Sequence, residues 1–133
     1  MPKKKAVKKT TKKKKSYLEE YCDFVTSLGS EFTMKDFNSK LGTGGLGLAG
    51  EAGEVADIAK KVLFHGMEFT DEVKANIKKE LGDVMWYVAF TARNVLEITL
   101  EEVIDANVAK LKDRYKGGKF STKEFMDKER KKK

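Results

Sequence analysis

Cysteine is nearly absent from this chain. Cys22 stands alone, so neither an intrachain disulfide nor a cysteine-based zinc cluster can form, and the usage suits a reducing, cytoplasmic setting. No apolar run approaches the ~18 residues that a membrane-spanning helix needs, and the lysine-rich start is not followed by the apolar segment of a signal peptide. Strand-like alternation of apolar and polar residues is missing throughout, which excludes a sheet-based fold and leaves an all-α one. The glycine-rich stretch GTGGLGLAG lacks the Gly-Lys-Ser/Thr ending of a phosphate-binding P-loop, and no β-rich run precedes it. The lone histidine, His65, falls at an expected helix C-terminus, where a capping or cationic role fits better than metal ligation.

Charge is plentiful but unevenly placed. The formal total of +7 hides nine lysines and no acid in residues 1–15, and a further +4 in residues 128–133, so the body between them carries −6. Residues 1–15 cannot bury a core and are expected to be a disordered tail. Such a tail either solubilises the chain or makes non-specific nucleic-acid contact through phosphates; no aromatic is interleaved to stack on a base. The length suits one domain, expected over 16–120, with a basic C-terminal tail over 121–133.

Helix signals fill that domain. Ser16-x-x-Glu19 reads as a capping box opening a helix in which Tyr17, Leu18, Tyr21, Phe24, Val25 and Leu28 recur at helical spacing, with Gly29 as the stop. Residues 30–45 read as a connector ending in the breakers Gly42, Gly44 and Gly45. Its aromatics either lid the core or cover a bound base. A second helix is expected over 46–65, a third over 71–97 behind Thr70, and a fourth from the capping box Thr99-x-x-Glu102 to Tyr115. The third carries a long apolar stripe of Val73, Ile77, Leu81, Val84, Met85, Val88, Ala92 and Val95. Phe120 and Phe125 are expected to tuck the tail back. Four main helices make a four-helix bundle whose long apolar stripes call for completion by oligomerisation.

Two carboxylate pairs stand out. Glu51 with Glu54, and Glu80 with Asp83, are each spaced i, i+3, which puts both members on one helix face. Apolar and small residues surround each pair, and acids in such company are costly unless a cation neutralises them. Hard divalent cations, Mg²⁺ above all, take such oxygen ligands together with waters and phosphates. Downstream, Asn107, Lys110 and Arg114 at i, i+3, i+7 share a face and could neutralise phosphate charge, although nearby acids offer them surface ion pairs instead. Trp86, three residues after Asp83, either stacks on a base or is buried core. Cys22 has no histidine near it in sequence and reads as a buried, inert thiol.

Taken together, Glu51-x-x-Glu54, a gap of 25 residues and Glu80-x-x-Asp83, with the flanking GLAGEAGEVAD, ELGDVMWYVA and NVAKLKDRY, resemble the MazG-like all-α nucleoside triphosphate pyrophosphohydrolases over about residues 16–120. That resemblance implies Mg²⁺-dependent hydrolysis of an NTP or dNTP between the α and β phosphates, with Mn²⁺ as the alternative ion, and a homodimer or homotetramer. Carried over by position, Glu51, Glu54, Glu80 and Asp83 are the implied metal ligands and catalytic acids. Lys110 and Arg114 are the implied phosphate contacts, and Asn107 sits against the nucleotide. Lys61, or its neighbour Lys60, matches a basic position after the first acid pair. The rival reading is a non-catalytic helical protein that binds nucleotide or nucleic acid with its lysine tails; the −6 body opposes a nucleic-acid face on the domain itself.

Overall fold

The computed structural model describes residues 14–119 and 121–131. The tail expected to be disordered falls largely in residues 1–13, outside the described residues, as does Phe120. Among the described residues six helices follow one another: α1 Tyr17–Ser27, α2 Glu31–Met34, α3 Phe37–Phe64, α4 Asp71–Asn94, α5 Leu100–Arg114 and α6 Thr122–Arg130. No strand occurs among the described residues, so the all-α reading holds.

Helix starts follow the local chemistry. Ser16, Thr70 and Thr99 each accept a hydrogen bond from the backbone N–H three residues on, and the Ser16–Glu19 and Thr99–Glu102 boxes are both reciprocal. Three further starts were not expected, one of them that of α6 at Thr122, in the stretch read as a basic tail. Ser30 caps the one-turn α2, and Asp36 accepts from the Ser39 N–H at 2.8 Å to open α3 nine residues earlier than the glycines suggest. His65 is the C-cap of α3. At the end of α4 no glycine is present, and Glu97 takes the left-handed conformation (φ 56°) that turns the chain, ending the helix at Asn94 rather than 97.

Six glycines therefore sit inside α3, against their poor helix propensity. For two of them, Gly44 and Gly47, the reason is the antiparallel packing of α3 on α4, the most extensive helix pairing in the fold; at the other four a Cβ would meet nothing within 4 Å. A Cβ placed on Gly44 would lie 2.2 Å from the Thr91 hydroxyl, and one on Gly47 would lie 2.0 Å from the Tyr87 ring. These two positions let the backbones approach; at Gly42, by contrast, a Cβ meets nothing within 4 Å. Gly42→Ala should accordingly gain about 0.5–1 kcal/mol from helix propensity, whereas Gly47→Ala should lose about 1–3 kcal/mol to overpacking, less that same gain. Urea unfolding of both variants checks the contrast. Equal effects would mean that α3 and α4 are not in close contact at Tyr87.

The buried core lies at the C-terminal end of α4. Cys22 and Val25 of α1, Ala89 and Phe90 of α4 and Leu100 of α5 form one cluster, with Leu18, Tyr21, Met34, Trp86, Val88 and Val103 packed against it. Polar ties reinforce it: Asp23 of α1 accepts from Arg93 of α4 at 3.0 Å and from Lys15, and Asn94 donates to the Thr26 hydroxyl at 3.2 Å. The expected apolar stripes are only partly covered. In α1, Tyr17, Phe24 and Leu28 point outward; in α4, Val73 and Ala92 are buried but Leu81 and Met85 are exposed. Along α5, every residue from Ile104 to Arg114 is exposed. Phe125 of α6 is about half exposed, and Phe120, the other residue expected to tuck the tail back, lies outside the described residues.

Candidate functional site

Beyond the core, towards the α4 N-terminus, α3 and α4 continue side by side, and the acids lie on their facing surfaces. The helices run in a fixed antiparallel register, Gly44 against Thr91 and Gly47 against Tyr87. One turn further along α3 is Glu51, and one turn back along α4 is Asp83. The i, i+3 spacing then brings Glu54 and Glu80 to the next step. One carboxylate oxygen from each of Glu51, Glu80 and Asp83 lies within 4.8 Å of the other two. Glu51 and Glu80 are half-buried, whereas Asp83 and Glu54 are exposed, and Glu54 is not in that close triad.

Partial burial pushes the Glu51 carboxyl above the ordinary carboxylate value, and the charges of Asp83, Glu80 and Glu54 push it further the same way. A polar group under such like-charge pressure is poised for a cation. The donors are all carboxylate oxygens, the choice of hard divalent ions. A spread of 4.8 Å slightly exceeds the ~4.2 Å between opposite oxygens around one Mg²⁺, so small side-chain rotations would close it. The residues present fit a Mg²⁺ or Mn²⁺ centre. Nearby, burial raises the Tyr21 phenol, with the Cys22 and Asp83 charges adding to it, so the field of the acids reaches the edge of the core.

The other residues singled out from sequence are distributed more widely. Lys61 and Lys60 both pair with Asp57, at 2.6 and 2.5 Å, and the two ammonium groups hold the Asp57 carboxyl down at about 2. Asp57 raises Lys61 in return. Trp86 is half-buried against the core, stacked on Phe90 at 5.3 Å and edge-on to Tyr87 at 4.9 Å. Asn107, Lys110 and Arg114 lie on the exposed part of α5, a helix that packs on α1 and α4 but not on α3. Burial drives the Cys22 thiol upward, which fits an unreactive core position. Two residues escaped the sequence reading. Asp57 follows Glu54 by three residues and could have been found as a partner for the next-turn lysines. Tyr87 is one turn beyond Asp83 and could have been found by the same periodicity.

Comparison with known proteins gives a consistent picture. The family model described as the MazG nucleotide pyrophosphohydrolase domain matches residues 43–118. A curated relative, the Gene 37 protein of Mycobacterium phage L5, is 46% identical over 71 residues, which is 52% of this chain and 60% of that protein. The chain thus spans less than two thirds of the length of the relative it matches. No solved structure matches. No helix among the described residues is long and apolar enough to cross a membrane.

Proposed function

Because the chain belongs to the MazG nucleotide pyrophosphohydrolase family, we propose that its domain, residues 16–120, hydrolyses a nucleoside or deoxynucleoside triphosphate between the α and β phosphates. The products are the nucleoside monophosphate and pyrophosphate. The observation that supports this most is the convergence of Glu51, Glu80 and Asp83 from two helices onto one spot. Three carboxylates in close range, one of them with its ionisation disfavoured, suit a metal–polyphosphate site better than a solvated helix face.

In this reading Glu51, Glu80 and Asp83 hold Mg²⁺, or Mn²⁺, against the triphosphate. When bound, such an ion polarises the phosphoryl oxygens and lowers the pKa of a coordinated water. Glu54, exposed beside the triad, takes the proton of the attacking water as general base. Lys110 and Arg114 meet the departing pyrophosphate, with Asn107 against the nucleotide, and Lys61 joins them when its hold on Asp57 is exchanged for phosphate. No side-chain nucleophile is required, since the reaction is a displacement by water.

Those α5 groups reach a triad in an assembly of two or four chains. Support comes from the apolar surface that one chain leaves uncovered: Leu46, Leu63 and Phe64 on α3, Leu81 and Met85 on α4, and Ile104, Val108 and Leu111 on α5 are all exposed. A sedimentation mass of 15.0 kDa, that of one chain, would remove this part of the reading.

The deciding experiment is a panel of the common NTPs and dNTPs with Mg²⁺ and with a chelator, scoring monophosphate and pyrophosphate together. Equal release of both, abolished by chelation, is the expected result. Release of orthophosphate and a diphosphate would place the cut elsewhere, and no turnover would overturn the reaction.

A further inference from the structure

The sharpest separation of charge in this chain is between its N-terminal run and its helical body. Residues 1–15 hold nine lysines and no acid, whereas the body between the two basic ends carries −6. The way this run is joined to the domain is defined. Lys15, its last residue, pairs with Asp23 of α1, which also accepts from Arg93 of α4 at 3.0 Å. The next residue, Ser16, caps α1 and donates its hydroxyl proton to Glu101 of α5, while its N–H is taken by Glu19 at 2.7 Å. The junction is thus tied to three helices. Arg93 follows Asp83 by ten residues, about 15 Å along α4, so Lys15 is held towards the core end of α4 rather than at the acid triad.

We propose that the N-terminal lysine run binds the phosphate backbone of duplex nucleic acid, independently of sequence, and so tethers the acidic domain to it.

The partner follows from charge and composition. Solubility does not call for the run: a body of −6 already has a net charge that keeps a small domain dispersed, and charge of the opposite sign works against it. The chain's own acids are poor partners. Glu19, Asp23 and Glu101 at the junction are already engaged, and the triad of Glu51, Glu80 and Asp83 suits a metal ion. Duplex nucleic acid, by contrast, presents one charge per about 1.7 Å of its axis and asks of its partner only cations, each releasing a counterion.

Other polyanions fit less well. An anionic bilayer also attracts lysines, but stable attachment there takes a second, apolar signal. The run has no aromatic residue and only Met1, Pro2, Ala6 and Val7 as apolar ones. Proteins that hold single strands stack aromatic rings on the bases, and the run has no ring to offer.

The test is anisotropy of a labelled DNA duplex of about 30 base pairs, titrated with the full chain between about 50 and 200 mM salt without Mg²⁺. With Lys15 committed to Asp23, eight of the nine lysines remain. Log affinity should then fall against log salt with a slope near −7, a loss of ~10⁴-fold over that range. Two duplexes of unrelated sequence should agree within about twofold, because phosphate contacts carry no sequence information. Lys→Gln at the seven lysines of residues 3–13 leaves the Lys15 and Ser16 junction untouched. This full-length variant should lose at least about tenfold in duplex affinity and most of the salt slope, with its melting temperature and nucleotide turnover unmoved.

A parent slope shallower than about −3, or full duplex affinity in the variant, would overturn the proposal. So would a parent protein that sediments with phosphatidylserine-containing vesicles yet leaves the duplex unbound, which would assign the run to a membrane. A variant altered only in its Mg²⁺ requirement would instead lay the run on the chain's own acids, and tighter binding of a single strand of equal length would remove the duplex. No nucleotide is present in the binding measurement, so its outcome is independent of whether the domain cleaves a triphosphate.

Discussion

Glu51→Gln is expected to lower Mg²⁺-dependent nucleotide turnover by about 10²- to 10³-fold, the scale seen when one preorganised electrostatic contact is removed from an active site. The substitution keeps the shape of the side chain and removes a charge from the centre of the triad. Without metal the variant should be no less stable than the parent, because Glu51 is the acid whose ionisation the fold opposes. The parent should gain melting temperature on adding Mg²⁺, by mass action on the folded state, and Glu51→Gln should lose most of that gain. Glu54→Gln is expected to separate the two readouts. It should lose turnover as the general base does, yet keep the Mg²⁺-induced rise, since Glu54 stands outside the close triad. Full activity in Glu51→Gln would end the metal assignment.

A pH dependence follows from the same shift. Glu51 is raised above its ordinary value of 4.5, first by partial burial and then by Asp83, Glu80 and Glu54. Between 4.5 and its raised folded value, the native chain holds a proton that the unfolded chain has released. The metal-free protein is therefore stabilised by Glu51 at low pH and loses that contribution as pH rises through the folded value. Metal binding has the opposite slope, because the proton must leave before the carboxylate can ligate. Mg²⁺ affinity, measured by the concentration needed for half the thermal shift, should weaken on acidification through the same window, and Glu51→Gln should flatten the profile.

The convergence of acids on facing helices was legible in the sequence because it needs only helical periodicity, although the close approach involves Glu51, Glu80 and Asp83 and not Glu54. Two i, i+3 acid pairs at the right separation fall opposite each other once two helices run antiparallel, and the capping signals at Ser16, Thr70 and Thr99 set where those helices begin. The start of α3 was misread because glycines at 42, 44 and 45 look like breakers in isolation. Tertiary packing overrides propensity there: Gly44 and Gly47 are where Thr91 and Tyr87 come closest, and only a residue without a Cβ fits. Leu81 and Met85 fit the apolar period of α4 but not its buried side, since periodicity reports that a face is apolar and not what covers it. That Phe32 and Asn38 line one cleft with Tyr87 was not legible, because the cleft joins α2, α3 and α4, whose register only the fold specifies.

Phe90→Ala should have the largest effect on stability, a loss of about 3–5 kcal/mol. Phe90 is fully buried, stacks on Trp86 and touches the cluster to which α1 contributes Cys22 and Val25 and α5 contributes Leu100. The cluster is small, so an aromatic-sized cavity at its centre has few neighbours able to collapse into it. Set against a total of roughly 5–15 kcal/mol for a domain of this kind, that loss brings the fold near its limit. Its consequences should be uneven. The α3–α4 contact depends on Gly44 and Gly47, away from the cluster, whereas α1 and α5 reach α4 largely through it. Hydrogen exchange on the variant should therefore reveal faster opening of α1 and α5 than of the α3–α4 pair, and Mg²⁺ should still protect the amides near Glu51 and Asp83. Uniform acceleration across all four helices would mean that the pair holding the acids has no stability of its own and that the site is only as durable as the core beside it.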